Sequence, residues 1–446
     1  MFVARKGEKK DGCDFLFEAI KNGAVAVVSY KSVEAGVPVL VYEDIETIIP
    51  VIAKKFYLAK NQTYKLIGVT GTNGKTTVTH LIKEILEKSG KKVGLIGTNG
   101  VFYEGVSIEF DQSTPTTPTA LELWQIIGNL IQMGAEFIVM EVSSHALSLG
   151  RVLGCRFSVG VFTNLTRDHL DFHKTMEEYG RAKEKLFAMS DSAVINIDDW
   201  VGTTIYSKLK MPKISVGFNE ADLLATAMEF PDSRLAFNME SGDKKYRVSA
   251  PLVGKFNIYN ILLAIGTATM LGIEIEDAIS AIETILPIKG RMQRLDDTLN
   301  FSVYIDYAHT PDGLEKVIHT LKGISKGKVI TVFGCGGERD REKRAIMGEI
   351  SGRYSDYTVI TSDNPRGENP LDIIEDILVG IKKTTGRYSV IPDRREAIDY
   401  SLNFARRDDI VLIAGKGQEN YQIIGDKKFP FDEAEIVRKS ILRIKG

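Results

Sequence analysis

The chain has 446 residues, 43% of them hydrophobic and 26% charged, an ordinary balance for a water-soluble protein and too long for one core, so two or three domains are expected. With 57 basic and 59 acidic residues the net charge is −2, which leaves no basic excess to neutralise a nucleic-acid backbone. Three scattered cysteines (Cys13, Cys155, Cys335) suit reduced thiols in a cytoplasm, and no secretory leader or membrane-length apolar run is apparent.

Residues 1–62 read as a small α/β domain. A short helix is expected over Asp14–Asn22, strands over Ala24–Tyr30 and Val37–Tyr42, and an amphipathic helix over Asp44–Lys60. No catalytic constellation falls there.

Residues 63–290 read as a central domain that opens on KLIGVTGTNGKTTVT. Lys65–Thr70 is a buried strand, and Gly71-Thr72-Asn73-Gly74-Lys75-Thr76-Thr77 a glycine-rich loop running into a helix with Val78, Leu81, Ile82, Ile85 and Leu86 on one face. Strand, loop and helix around G-x-x-G-K-T is the context of a phosphate-binding loop. Its glycines admit backbone N–H groups to phosphate oxygens, and the helix start adds partial positive charge. Lys75 can reach the β- and γ-phosphates, and Thr76 can offer its hydroxyl to Mg²⁺. Only Thr72 and Asn73 separate the glycines, where the common loop has four residues, and this shorter form belongs to a narrower class of ATP users. A tight turn that happens to hold a lysine is the plainer alternative.

Strands expected at Lys92–Ile96, Glu136–Val142, Arg156–Phe162 and Ala193–Ile197 alternate with helices at Leu121–Met133 and Met176–Met189. That alternation implies a mostly parallel sheet whose ligands sit at the carboxyl ends of its strands. Glu141, in EVSSH, ends one strand and is placed to hold Mg²⁺ directly or through water. His169, in TNLTRDHLDFH, ends another; two histidines and several acids there outweigh the usual structural role of a single histidine. Lys183 and Lys185 lie on a helix and by themselves read as solvated. Asn257 and Asn260, at i and i+3 of the helix opened by PLVGKFNIYN, could bind a base or cap the helix.

Residues 291–446 read as a Rossmann-like third domain behind a hinge at Lys289-Gly290-Arg291-Met292. Strands are expected at Val303–Tyr307, Val329–Phe333, Thr358–Thr361 and Ile410–Ala414, with helices near Asp312–Leu321, Arg341–Ser351, Leu371–Lys382 and Arg395–Asn403. Each strand ends in a polar cluster: DYAHTPD, GGERDR, DNPR and GKGQE. Four such clusters on one sheet edge would make a cleft facing the ATP site.

With these motifs in this order, from about Phe2 to the C-terminus, the chain resembles the Mur ligases, and among them those that add the third residue of the peptidoglycan stem. The resemblance implies a domain for the UDP end of the substrate, a central ATPase and a mobile C-terminal domain for the amino acid. It implies ATP and Mg²⁺, phosphorylation of the D-Glu carboxylate of UDP-MurNAc-L-Ala-D-Glu, and attack on the acyl phosphate by an amine. Lys75, Lys183 and His169 become the catalytic residues. Thr76 and Glu141 hold one Mg²⁺; His169 and Lys183, the latter as N6-carboxylysine, hold a second. Asn257, Arg291, Asp306 and His309 join Gly71–Thr77 around ATP. Thr116, Thr117, Ser143 and Arg151 bind the UDP-muramoyl peptide. Arg339, Asp363, Asn364, Pro365, Arg366, Gly415 and Glu419 form the amino-acid pocket.

The expected amino acid is meso-diaminopimelate, because Arg366 can grip its far carboxylate where the ammonium of L-lysine would face like charge. L-lysine, lanthionine, a folylpolyglutamate synthetase and a nucleotide-dependent switch are the alternatives. A monomer is expected. Two departures accompany the resemblance: the family's segment ahead of the strand matching Phe2–Ala4 is expected to be absent, and Leu149 stands where a glutamine often contacts the muramoyl group.

Overall fold

The computed structural model describes residues 1–7, 10–58, 62–110, 113–114, 116–231, 234–295 and 299–445. Ala59 and Lys60, at the end of an expected helix, and Pro115, in the Thr-rich stretch, lie outside them. Three α/β units follow one another, each on its own sheet.

The first sheet is parallel, in the order β1 (Phe2–Ala4), β2 (Val27–Ser29), β3 (Val39–Val41). Helix Ile45–Tyr57 buries Ile45, Ile49 and Ala53. The strands are shorter than expected because the core is small: Leu40 and Val41 are each 49% exposed.

The central sheet is built from β4 (Lys65–Thr70), β5 (Val93–Gly97), β6 (Gly100–Tyr103), β7 (Val106–Ile108), β8 (Phe137–Glu141), β9 (Val159–Phe162), β10 (Ala193–Asn196), β11 (Lys213–Gly217), β12 (Leu223–Glu229), β13 (Leu235–Ser241) and β14 (Lys244–Ala250). Their spatial order is β14-β13-β12-β11-β10-β9-β4-β8-β5-β6-β7. The strands around β4 are parallel and buried along most of their length, as their apolar runs require. Both edges carry antiparallel additions, β6–β7 and β13–β14, that the helix–strand alternation did not reveal. The outermost strands lack continuous apolar runs: VSI in β7 and KKYRVSA in β14 are mostly exposed or half-buried.

Helix Lys75–Lys88 lies on one face beside helix Phe256–Met270, burying Val78, Leu81, Ile82, Ile85 and Leu86. At about 1.5–3 kcal/mol for each buried aliphatic side chain, that stripe anchors the start of the phosphate loop's helix. Helix Ala120–Gln132 covers the other face. Helix Met176–Glu184 stops before the expected Met189, and a 3-10 turn spans Phe187–Met189. With β8 and β9 flanking β4 in parallel, the carboxyl ends of all three lie side by side.

The third sheet contains β15 (Gln293–Arg294), β16 (Ser302–Asp306), β17 (Val329–Phe333), β18 (Tyr357–Ile360), β19 (Tyr388–Val390) and β20 (Ile410–Ala414), in the order β15-β16-β20-β17-β18-β19. All but β15 run parallel, so the four polar clusters do share one edge. A hairpin of β21 (Tyr421–Ile424) and β22 (Lys427–Pro430) folds beside that edge, its Ile424 bridged to Arg366.

Candidate active site

The phosphate loop needs both glycines for steric as well as conformational reasons. Gly71 and Gly74 have φ of 146° and 88°. A Cβ on Gly71 would lie 1.8 Å from Thr163 Oγ1, and one on Gly74 2.5 Å from Asn260 Oδ1. Lys75 Nζ donates to the carbonyls of Gly71 and Thr72, each at 2.9 Å. Lys183 Nζ donates to the same Gly71 carbonyl at 2.8 Å. The solvated reading of Lys183 is therefore corrected. Helix Met176–Glu184 turns it under the loop, where it is 1% exposed, while Lys185 remains outside. Burial, reinforced by the charge of Lys75, lowers the Lys183 pKa well below that of an ordinary lysine. Burial also lowers that of Lys75.

Glu141, the last residue of β8, is 1% exposed and fully engaged. Its Oε1 accepts from Thr76 Oγ1 at 3.0 Å and Thr98 N at 2.8 Å, and its Oε2 from Thr98 Oγ1 at 3.0 Å. Arg291 Nη2 donates to Thr76 Oγ1 at 2.7 Å, which brings the hinge onto the loop. A hydroxyl and a carboxylate in contact at a helix N-terminus are hard oxygen donors, a set that fits Mg²⁺. Thr70 Oγ1, at the end of β4, is buried with no partner among the described residues.

His169 has a left-handed φ of 55°, and its Nε2 lies 3.3 Å from Asp168 Oδ2. Burial pushes its pKa down to about 3 against the opposing pull of Asp168, so it is neutral near pH 7, the form that ligates metals. The Asp168 carboxyl stays low although burial opposes it, because Lys343, His169 and His309 surround it. His309 Nε2 is 3.8 Å from Asp168 Oδ2, and burial takes its own pKa to about 4.

The four residues expected to bind the muramoyl peptide gather next to Glu141. Thr117 Oγ1 donates to the Glu141 carbonyl at 3.0 Å and accepts from Ser143 N at 2.9 Å. Arg151 Nη1 donates to the Thr117 carbonyl at 3.2 Å, and Thr116 Oγ1 is 3.1 Å from Thr98 Oγ1. Leu149 is 48% exposed nearby in sequence, with an apolar side chain where a glutamine would offer an amide. Asn257 is buried; its Nδ2 donates to the Val253 carbonyl at 2.8 Å and its Oδ1 accepts from Asn260 Nδ2 at 2.8 Å. The pair is bonded to each other and to the Val253 carbonyl, and neither side chain caps the helix, whose N-cap Lys255 has no side-chain cap bond. Asp306 accepts from Met292 N at 2.7 Å and Ala308 N at 2.8 Å. Burial raises its pKa, with Arg291 opposing.

The amino-acid residues collect on the third sheet's edge. Asn364 Nδ2 donates to Glu419 Oε2 at 2.9 Å. Arg366, with φ of 52°, is held by backbone bonds to Ile423 and Gly425, and its Nη1 donates to the Gly337 carbonyl at 2.7 Å. Gly415 passes so close that a Cβ there would sit 2.8 Å from Asp363 Oδ2, and a Cβ on Gly337 would meet the Pro365 carbonyl at 1.9 Å. Arg339 is near enough that its charge, after burial, helps lower the Arg366 pKa. Neither guanidinium has a carboxylate ion pair among the described residues.

Contacts cross between the central and third units. Asn73 Nδ2 donates to Asp312 Oδ2 at 2.8 Å, and Arg167 Nη2 to Glu342 Oε2 at 2.5 Å. They set the phosphate loop and the third sheet's edge on one cleft. Thr98, Tyr179, Asp168 and Lys416 belong to this site but escaped sequence reasoning. Thr98 follows β5, so the strand-end rule that found Glu141 could have found it too. Tyr179, whose OH accepts from Thr72 Oγ1 at 3.2 Å, carried no local signal.

Two family descriptions match the chain: Mur ligase middle domain over residues 69–268, and Mur ligase, glutamate ligase domain over 290–417. It is 45% identical, across 98% of its length and 91% of the relative's, to a UDP-N-acetylmuramoyl-L-alanyl-D-glutamate–2,6-diaminopimelate ligase of Caldanaerobacter subterraneus subsp. tengcongensis. A ligase of the same name from Geobacillus thermodenitrificans is 42% identical over 99% of this chain and 92% of its own. A solved structure of a ligase of that name superposes with a TM-score of 0.67 at 34% identity, covering 97% of this chain and 90% of the other. The MurF ligase of Thermotoga maritima in complex with ADP shares the fold, with a TM-score of 0.70 at 19% identity, over 100% and 95% of the two chains. On these grounds the chain belongs to the Mur ligase family.

Proposed function

We propose that this chain is an ATP-dependent, ADP-forming ligase that joins meso-diaminopimelate to UDP-MurNAc-L-Ala-D-Glu in peptidoglycan precursor synthesis. Its similarity to diaminopimelate ligases over nearly its whole length supports this. The observation that carries the choice of amino acid is the pair Arg339 and Arg366, neither in a carboxylate ion pair among the described residues, beside the half-buried Asn364–Glu419 bond. Guanidiniums suit the far carboxylate, and Glu419 suits the far ammonium.

Residues 1–62 are assigned to the UDP end, 63–290 to ATP and 291–446 to the amino acid. A cavity of about 400 Å³ in the first unit, lined in part by Phe2, Arg5, Lys6, Lys10 and Phe15, offers cations and a ring for a diphosphate and a base. The working place is the cytoplasm and the working form a monomer.

Two anions, a triphosphate and a carboxylate, must meet, so cations must screen them. Lys75 leaves the Gly71 and Thr72 carbonyls for the β- and γ-phosphates. Arg291 leaves Thr76 Oγ1 for the phosphates, freeing that hydroxyl. Thr76 and Glu141 would hold Mg²⁺, which would supply charge stabilisation for the transferring phosphoryl group. The D-Glu carboxylate oxygen attacks the γ-phosphorus and the bond to ADP breaks. The amine nitrogen then attacks the acyl carbon, the C–O bond to phosphate breaks, and the ammonium proton passes to solvent.

Lys183 is proposed to become N6-carboxylysine: its neutral amine adds to CO₂, a proton is released, and a cation becomes an anion that can share a second metal with His169. An unperturbed lysine is neutral only about once in 2,500 at pH 7. The depressed pKa of Lys183 removes that obstacle.

Phosphate release with UDP-MurNAc-L-Ala-D-Glu tests the reading. Meso-diaminopimelate should support turnover and L-lysine should not. Comparable turnover with L-lysine, or activity only with a folate acceptor, would overturn it.

A further inference from the structure

Lys416 is a cation with 0% exposure, placed beneath the pocket by its two flanking glycines. Gly415 and Gly417 have φ of 117° and 55°, and a Cβ on Gly417 would lie 2.7 Å from Tyr307 Cβ. The loop therefore admits no side chain at either position flanking Lys416, whose own side chain is buried. Lys416 Nζ donates to Asn364 Oδ1 and Glu419 Oε2, each at 3.0 Å. Asn364 Oδ1 also accepts from Ile423 N at 2.9 Å. Two donors on that oxygen decide which way the Asn364 amide faces. Its Nδ2 must then point at Glu419 Oε2, so that oxygen receives two donors as well. Glu419 Oε1 is left with one long contact, to Tyr307 OH at 3.5 Å.

We propose that Lys416 is a positioning residue that sets the polarity of the amino-acid pocket: by saturating Glu419 Oε2 and orienting Asn364, it presents Glu419 Oε1 as the acceptor for the far ammonium of a diamino diacid. This rests on the diaminopimelate reading given above. Lys416 itself touches no substrate. Its ammonium keeps the half-buried Glu419 carboxylate aimed, and without it Asn364 could rotate and offer its N–H groups to a cation.

The test compares wild type with Lys416→Met, which keeps the side chain's length and removes its charge. The KM for meso-diaminopimelate should rise about ten- to a hundredfold, the range for losing a charged hydrogen bond. The KM values for ATP and UDP-MurNAc-L-Ala-D-Glu should stay put. The same comparison with 2-aminopimelate, which keeps the far carboxylate and lacks the far amine, should show little difference between wild type and variant. Lys416→Arg should recover part of the loss. An unchanged KM for meso-diaminopimelate, an equal loss with 2-aminopimelate, or a rise in all three KM values would each overturn the assignment. Should Lys416→Met not fold, Lys416→Gln carries the same comparison. Failure of wild type to use meso-diaminopimelate at all would instead sink the functional reading.

Discussion

The phosphate loop takes its residues from one unbroken stretch, 71–77, whereas the proposed amino-acid pocket takes Arg339, Asn364, Arg366 and Glu419 from three separate strand ends. On the first side, backbone geometry carries the site. Its two cations lie folded back on loop carbonyls. On the second side, side chains brace side chains: Lys416 on Asn364 and Glu419, and Arg394 on Glu433 with both fully buried. The nucleotide side should therefore fail abruptly when one group is lost. The amino-acid side should fail by degrees and in its selectivity.

The largest expected effect lies on the nucleotide side. Lys183→Ala should lower kcat by at least about a hundred- to a thousandfold, the scale of losing one preorganised electrostatic group. Added acetate, a stand-in carboxylate, should restore part of it. Phosphate-release rates with and without acetate measure both, and an alanine variant at the wild-type rate would remove Lys183 from the chemistry.

On the amino-acid side, Arg366→Lys should raise the KM for meso-diaminopimelate about tenfold or more while sparing ATP, because an ammonium cannot reproduce the two parallel bonds of a guanidinium. Equal losses for both substrates would mean that the change unsettled the Gly337 and Ile423 contacts rather than recognition. Thr98→Val sharpens the comparison from the other side. Glu141 keeps the Thr98 N–H but loses the hydroxyl on Oε2. Removing such an outer support should weaken Mg²⁺ dependence about tenfold, read as the Mg²⁺ concentration giving half-maximal turnover.

The same contrast explains what was legible in the sequence. Contiguous elements were readable: strand Lys65–Thr70, the loop and its helix appear where periodicity puts them. The clustering of four strand ends was readable as well, since parallel strands leave their carboxyl ends on one edge. The outer strands β7 and β14 were not, because half-exposed strands give no apolar run to find. Lys183 was singled out by the resemblance alone: by its own sequence a lysine on a polar helix looks solvated until packing turns it beneath Gly71. Lys416 was hidden by the same physics, with its partners 52 and 3 residues away. Burial of a charge is a tertiary event with no local signature.

The smallest expected effect concerns stability and separates the two sides once more. His173, buried on the central side, has its Nε2 2.8 Å from Ser144 Oγ. Burial, with the charges of His145 and of unmodified Lys183 adding to it, takes its pKa from 6.5 to about 4; carboxylation of Lys183 would remove the last and smallest of these three causes and leave burial as the main one. Between those values the unfolded chain binds a proton that the folded chain refuses. Stability is therefore fully present above about pH 6.5 and is lost as pH falls toward 4. His169, shifted in the same direction, extends the loss toward 3. Urea midpoints measured from pH 7 to pH 4.5 should fall for wild type and fall less for His173→Gln, which cannot titrate. Acid-sensitive carboxylates elsewhere contribute equally to both proteins, so the difference between the two slopes isolates the histidine. Identical slopes would mean that the ring is protonated as readily in the folded chain as in the unfolded one, and the central side would then owe none of its acid sensitivity to this residue.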